Sequence, residues 1–285
     1  MTVAPQSNPT VARRELAVFF RSLREQRKHS LDELAGYLGV AASQASRLDT
    51  GARGYRVEDV EKLSTWYDLA EADRKRLLAL AEESRRRSWW QQVEVAPAYR
   101  TLIGMELAAV SINEYCGSVM PGLLQTRDYA EAAAAAGAID LQPEKIHSAA
   151  AVRMRRQEVL ERDPPPQLWV VMDEAALARV AGGREIMLTQ LQHLHSIAMR
   201  PNITVQVIGF EYGLHPGLTG HFILLGMDGS LPDVVYKEDQ LESSDSSLEE
   251  NLRFTRRLWD SLRALALSPR DSLDRIMQYA ERLAN

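Results

Sequence analysis

From Val11 to Lys28 the apolar positions Leu16, Phe20 and Leu23 recur at helical spacing with arginines on the other faces, which predicts a first helix. Ser30 then has the chemistry of an N-cap, with Asp32 and Glu33 in the first turn where they favour the helix dipole. Leu31, Leu34, Ala35 and Leu38 form that second helix's inner stripe, and Gly39 stops it. A short third helix is expected from about Ala42 to Thr50, with Gly51 placed for a left-handed C-cap. Val57, Val60, Leu63 and Trp66 or Tyr67 start a fourth. Leu77, Leu78, Leu80 and Ala81 face inward on a fifth, near Glu71 to Arg87.

After Pro97 the texture changes. Helical patterns run over Met105–Tyr115, Asp128–Ala136 and Pro143–Glu161. Pro164, Pro165 and Pro166 forbid helix and lead into an apolar run of strand length, Leu168–Met172. A helix over Arg184–Met199 follows, then three strands at Ile203–Ile208, Phe222–Leu225 and Val234–Tyr236, then helices near Ser246–Ala266 and Leu273–Leu283. The expected architecture is α+β overall: an N-terminal all-α domain, then an α+β domain whose sheet of about four strands is covered by helices. Residues 1–9 read as a flexible tail, 10–70 as the helical domain, 71–96 as a helical linker and 97–285 as the α+β domain. Trp89 and Trp90 are expected to pack the linker onto the second domain, and the run Arg85, Arg86, Arg87 to be a solvated helix end.

The chain of 285 residues fits two domains, and 45% hydrophobic with 26% charged residues is ordinary globular composition. The net charge of −5 argues against nucleic-acid binding until its distribution is considered. Residues 1–90 hold 16 Lys and Arg against 13 Asp and Glu, a balance of +3, and residues 91–285 hold 18 against 26, a balance of −8. That asymmetry suits one domain that meets phosphate and one that does not. No apolar run approaches membrane-spanning length, residues 1–9 lack the pattern of a secretory signal, and the single Cys116 fits a reducing cytoplasm.

The most specific constellation is LDELAGYLGVAASQASRLDTG, Leu31 to Gly51. Two helices crossing steeply need a small residue at the crossing, which Ala35 supplies, and a turn residue tolerant of unusual backbone angles, which Gly39 supplies. Leu34, Leu38, Val40 and Leu48 plug the space between them. This stretch, with the RSLREQR lead-in and the SRLDTG close, resembles the XRE, or Cro/CI-type, helix-turn-helix repressors over Leu16 to Leu69. The resemblance implies a transcription regulator, and a double-stranded DNA operator whose major groove takes the second helix of the motif. It places Ala42, Ser43 and Arg47 toward the bases, and Gln44 and Ser46 at phosphate or flanking positions. Arg47 is the specificity residue of choice, because a guanidinium can bond guanine O6 and N7 together. Arg27, Lys28, Arg53 and Arg56 flank the motif where they could grip phosphate. Two residues depart from the family: Ala41 replaces a Ser or Thr N-cap, and Ala45 replaces a larger core residue, so the recognition helix is expected to be less rigid than usual.

A second resemblance covers about Trp89 to Ala284. SWWQQ, PGLLQTRDYA, RMRRQEVL, VVMDEAAL, ITVQVIGF, HPGLTGHFILL, VVYKE and SPRDSL resemble the C-terminal domain of actinobacterial WhiJ-like, antitoxin-like regulators. It implies a regulator modulated by a small acidic protein encoded nearby, and brings no catalytic residues, cofactor or metal. Repression and a homodimer are expected. Autoproteolysis needs a serine beside a lysine base, and after residue 91 only Lys145 and Lys237 occur, in no such arrangement. A zinc peptidase needs H-E-x-x-H, which is absent; His193 and His195 diverge by about 200° on a helix. The remaining alternative is a small-molecule effector site lined by Trp169, Phe222, Tyr236 and the loop His215–His221, against which these aromatics read as core. Asp173 and Glu174 read as a helix N-terminus rather than an acid–base pair.

Overall fold

The computed structural model describes residues 8–137, 142–229, 231–237 and 247–285. They divide into two compact units, the first built from residues up to 108 and the second from most of those after it.

The first unit, the head, is helical: α1 (Pro9–Gln26), α2 (Leu31–Leu38), α3 (Ala42–Asp49), α4 (Val57–Trp66), α5 (Glu71–Ser84) and α6 (Pro97–Glu106). Its core joins the stripes legible in the sequence: Leu16 and Phe20 of α1, Leu34 and Leu38 of α2, Leu48 of α3, Val60 and Leu63 of α4, and Leu77 of α5. Tyr55 enters from the loop before α4, its ring 5.1 Å from that of Phe20. The tail expected over residues 1–9 falls mostly on 1–7, which lie outside the described residues. Asn8 caps α1, its side chain accepting from Val11 N at 3.2 Å, and Pro9 opens the helix.

Residues expected as a linker and as the start of the second domain pack here, since α5 and α6 both lie against α1. Trp90, expected against the second domain, instead donates from Nε1 to Thr10 Oγ1 of α1 at 3.1 Å. Beside it α6 approaches so closely that a Cβ on Gly104 would stand 2.3 Å from Thr10 Oγ1.

The second unit, the body, runs β1 (Ser111–Cys116), α7 (Arg127–Gly137), α8 (Pro143–Arg156), β2 (Gln167–Asp173), α9 (Ala175–Ala178), α10 (Arg184–Ile197), β3 (Ile203–Ile208), β4 (Phe222–Gly226), β5 (Val234–Lys237), α11 (Ser247–Leu265) and α12 (Pro269–Ala284). The architecture is α+β, with five strands in the order β3-β2-β1-β4-β5 rather than about four. β1, β2 and β3 are parallel, whereas β4 and β5 are antiparallel to their neighbours. The added strand is β1, at the centre, where a helix was expected over Met105–Tyr115: α6 ends at Glu106 and the chain re-enters as strand at Ser111. The helix expected over Pro143–Glu161 turns 3-10 from Gln157.

Strand alternation sorts the side chains by face. Tyr115 stands opposite Val171 of β2 and Phe222 of β4. These three pack with Ile208 against Trp259 and Leu262 of α11. The outer edge of β3 is closed by the turn before α12 and its first turn: Leu267 N donates to Val207 O at 2.9 Å, and Val207 N donates to Ser272 Oγ at 3.0 Å.

Candidate nucleic-acid interface

The geometry of α2 and α3 follows from their ends. At the start of α2, Ser30 Oγ accepts from Glu33 N at 3.1 Å while Glu33 Oε2 accepts from Ser30 N at 2.7 Å. This capping box satisfies two otherwise orphaned donors, and the bond from Ser30 N holds the Glu33 carboxyl below its ordinary pKa. α2 ends at Gly39, whose φ of 71° is the left-handed conformation the tight turn requires. The turn closes with Val40 N donating to Ala35 O at 3.0 Å.

α3 starts without such support. Ala41 has the extended backbone of an N-cap but no side-chain bond to offer. Replacing Ala41 with serine is therefore expected to stabilise the head by about 1 kcal/mol, read as a higher thermal midpoint. An unchanged or lower midpoint would count against an uncapped first turn.

Helical periodicity divides α3 into two sides. Ala45, Leu48 and Asp49 are buried, whereas Ala42, Ser43, Gln44 and Arg47 are exposed and Ser46 is half-buried. Ser43 and Arg47, at i and i+4, lie one above the other, with Gln44 beside Arg47. Among the described residues the Arg47 guanidinium has no ion-pair partner, whereas its backbone carbonyl accepts from Arg53 N at 2.8 Å and from Thr50 Oγ1 at 3.3 Å. Of the flanking cations, Arg27 and Lys28 are exposed at the end of α1, Arg53 is half-buried in the loop after α3, and Arg56 is exposed at the N-cap of α4.

Two features that orient α3 and its neighbours escaped the reading of the sequence. Arg24 of α1 grips Asp49 with two parallel bonds, Nε to Oδ1 and Nη2 to Oδ2, each 2.8 Å, and its Nη1 donates to His29 O at 3.1 Å. Asp49 raises the pKa of the Arg24 guanidinium, chiefly through this hydrogen bond. The clamp fixes the C-terminal end of α3 on α1. Its sequence signal was an aspartate one helical turn after Ala45, on the inward stripe where an unpaired carboxylate is costly. The second feature is aromatic: Trp66 of α4 stacks with His29 and with Tyr37 of α2, each at 4.5 Å between centroids.

In the body, the aromatics weighed as pocket lining are packed. Phe222 belongs to the cluster under α11, Trp169 packs against that cluster and bonds Gln206 at 2.8 Å, and Tyr236 is buried on β5. The loop histidines have carboxylate partners, His215 with Asp173 at 2.9 Å and His221 with Glu114 at 3.0 Å. Asp173 Oδ1 also accepts from Ala175 N at 2.7 Å, as expected of a helix start. Glu174, 5% exposed, accepts from Phe210 N at 2.8 Å, Arg275 Nη1 at 2.7 Å and the Tyr279 hydroxyl at 2.8 Å. Tyr115 OH and His215 Nδ1 are buried without a hydrogen-bond partner.

A family model described as a helix-turn-helix domain matches residues 15–77, and one described as a domain of unknown function (DUF5753) matches residues 99–278. No curated protein and no solved structure matches the chain. Among the described residues no helix is long and apolar enough to cross a membrane.

Proposed function

The chain belongs to the family defined by the domain of unknown function DUF5753, and from that premise, with a helix-turn-helix domain ahead of it, we propose that it is a sequence-specific, DNA-binding transcriptional repressor. The observation that carries the reading is the two-sided α3. Its rear is fixed by the core and the Arg24–Asp49 clamp, while Ser43 and the unpaired Arg47 share its exposed side with Gln44. In this reading Ala42, Ser43 and Arg47 meet base edges, Arg47 pairing with guanine, and Gln44 and Ser46 make flanking contacts. Arg27, Lys28, Arg53 and Arg56 hold phosphates and set the register. A single small motif offers few contacts, so two chains bind a two-fold operator in the cytoplasm, where the DNA is.

The body then receives the signal, from a small partner protein in the manner of WhiJ-like, antitoxin-like regulators. Its balance of −8 keeps it off DNA, and an acidic partner would have to dock through apolar contact. The segment after β3 offers such contact: Phe210, Tyr212, Leu214 and Leu218 are all exposed, Leu214 to 90%. A small-molecule effector is the second reading. It is favoured by the buried, unpartnered Tyr115 OH and His215 Nδ1 at the carboxyl end of the parallel strands.

The test is binding to an operator selected from a random DNA pool. Arg47→Ala should cost about 1–3 kcal/mol on the operator and leave random DNA nearly unaffected. Arg53→Ala should weaken both alike and lower the salt slope by about 1. Equal losses on both DNAs for Arg47→Ala would remove its base-reading role, and failure to select any operator would overturn the function.

A further inference from the structure

We propose that a cleft in the head between α1, α4 and α5 is a binding site for a phosphate group. The cleft has a volume of about 420 Å³ and is lined by Arg13 from α1, Gly54 and Arg56 from the approach to α4, and Ser84 and Arg85 from the end of α5. That volume lies within the range of small-molecule sites, about 300–1,000 Å³.

Arginines from three distant parts of the sequence line it, with a single acidic residue, Glu58, in the wall. Among the described residues none of the three arginines is in an ion pair, whereas the adjacent Arg86 pairs with Glu83 at 3.4 Å. Arg13 is half-buried, its Nε is buried without a hydrogen-bond partner, and burial draws its pKa down. A cation partly withdrawn from water with no carboxylate paired to it is held at a cost that an incoming anion relieves. The ten-residue α4 begins at the cleft, but Glu58 and Asp59 in its first turn already answer its positive end, Asp59 Oδ2 accepting from Arg56 N at 3.1 Å, so the attraction rests on the arginines.

The Ser84 hydroxyl is committed as donor to Ala81 O at 2.8 Å, so among the side chains the charged donors facing a ligand are those of the arginines. A guanidinium fork bonds two oxygens at once, and a phosphate has enough terminal oxygens to serve more than one fork, whereas a carboxylate has two and a halide offers no such pair. Two sources carry such a group, a DNA backbone and a free phosphorylated small molecule. The first source rests on the DNA-binding reading above and the second does not.

The experiment uses the full chain, as wild type, as Arg85→Gln and as Arg13→Gln/Arg85→Gln. Arg85 is exposed at the end of its helix, so its replacement leaves the fold intact and keeps the test valid if the double variant unfolds. Two quantities are read: the slope of log K against log salt on random-sequence DNA, and calorimetric binding of inorganic pyrophosphate without DNA. If the source is DNA, the slope shrinks by about 1 for Arg85→Gln and about 2 for the double variant. If the source is a free ligand, the slope stays and pyrophosphate affinity falls at least about tenfold, the factor of one lost charged contact. Should the wild type bind no DNA, the regulator reading fails while the pyrophosphate arm still decides the cleft. Unchanged slopes together with unchanged or absent pyrophosphate binding overturn the proposal.

Discussion

Asp49→Ala is expected to lower the unfolding free energy of the head by about 2–3 kcal/mol, and to weaken operator binding in addition. The side chains of Asp49 and Arg24 are only 7% and 13% exposed, and they are joined by two bonds of 2.8 Å. Deleting the carboxylate leaves the guanidinium with little water, its bond to His29 O and a longer contact, 3.5 Å, with the exposed Glu25. Removing one partner of a fully buried pair costs about 3–5 kcal/mol; Arg24 is close enough to the surface to be partly rehydrated, which places the expectation lower. Because the clamp fixes the end of α3, its loss also releases the orientation of Ser43 and Arg47. Hydrogen exchange over α1 to α3 in the full chain, with urea unfolding, measures the effect. A companion Arg24→Met/Asp49→Leu variant should recover most of the stability, since an apolar pair leaves no stranded charge. A loss within the range of an exposed ion pair, about 0–1 kcal/mol, would show that the clamp is incidental.

Glu174→Ala is expected to cost the body about 3 kcal/mol, because one carboxylate serves three donors from two directions. Phe210 N follows β3, while Arg275 and Tyr279 belong to α12. Without Glu174, Phe210 N and the Tyr279 hydroxyl lose these acceptors, although Arg275 keeps Glu211 at 2.9 Å. The damage should be local: protection from exchange should fall in α12 and β3 while α1 to α4 keep theirs. Glu174→Gln retains one carbonyl oxygen and should fall between wild type and alanine. An alanine variant with unaltered α12 protection would mean that the apolar contacts of Ile276 and Ala280, both buried, hold this helix by themselves.

The head was largely legible because its local and global signals agree. Ser30, Gly39 and Gly51 mark ends that are also the boundaries of apolar stripes, so each element is specified twice. The Arg24–Asp49 clamp was not legible as a pair, since the partners are 25 residues apart and each alone reads as a helix-surface charge. The cleft arginines were hidden for the same reason, with Arg85 submerged in a run of three. In the body, β2 to β5 announced themselves by β-branched and aromatic runs, and β1 did not. Leu107, Ala108, Ala109, Val110 and Ile112 fit a helical stripe as well as a strand. The strand itself carries Glu114, 2% exposed, on a face that alternation would make apolar. A buried carboxylate held by His221 erased the period-2 signal at the centre of the sheet. The assignment of Ala42, Ser43 and Arg47 to bases came from the motif's resemblance, and the exposure of these three on α3 is compatible with it.

The closure of β3 by α12 also bears on how this protein avoids open-ended strand addition along its sheet. A sheet with a bare outer strand is a template on which any other strand can lengthen it, and such growth is a route to aggregates. Here the amide and carbonyl of Val207 are already taken, by Ser272 Oγ and Leu267 N, so a foreign strand would first have to displace the start of α12. The last helix of the chain thus doubles as a guard on the sheet. Trimming the protein back to residue 266 would expose a β-branched edge, Ile203 to Ile208, that these two bonds close near its C-terminal end, at Val207.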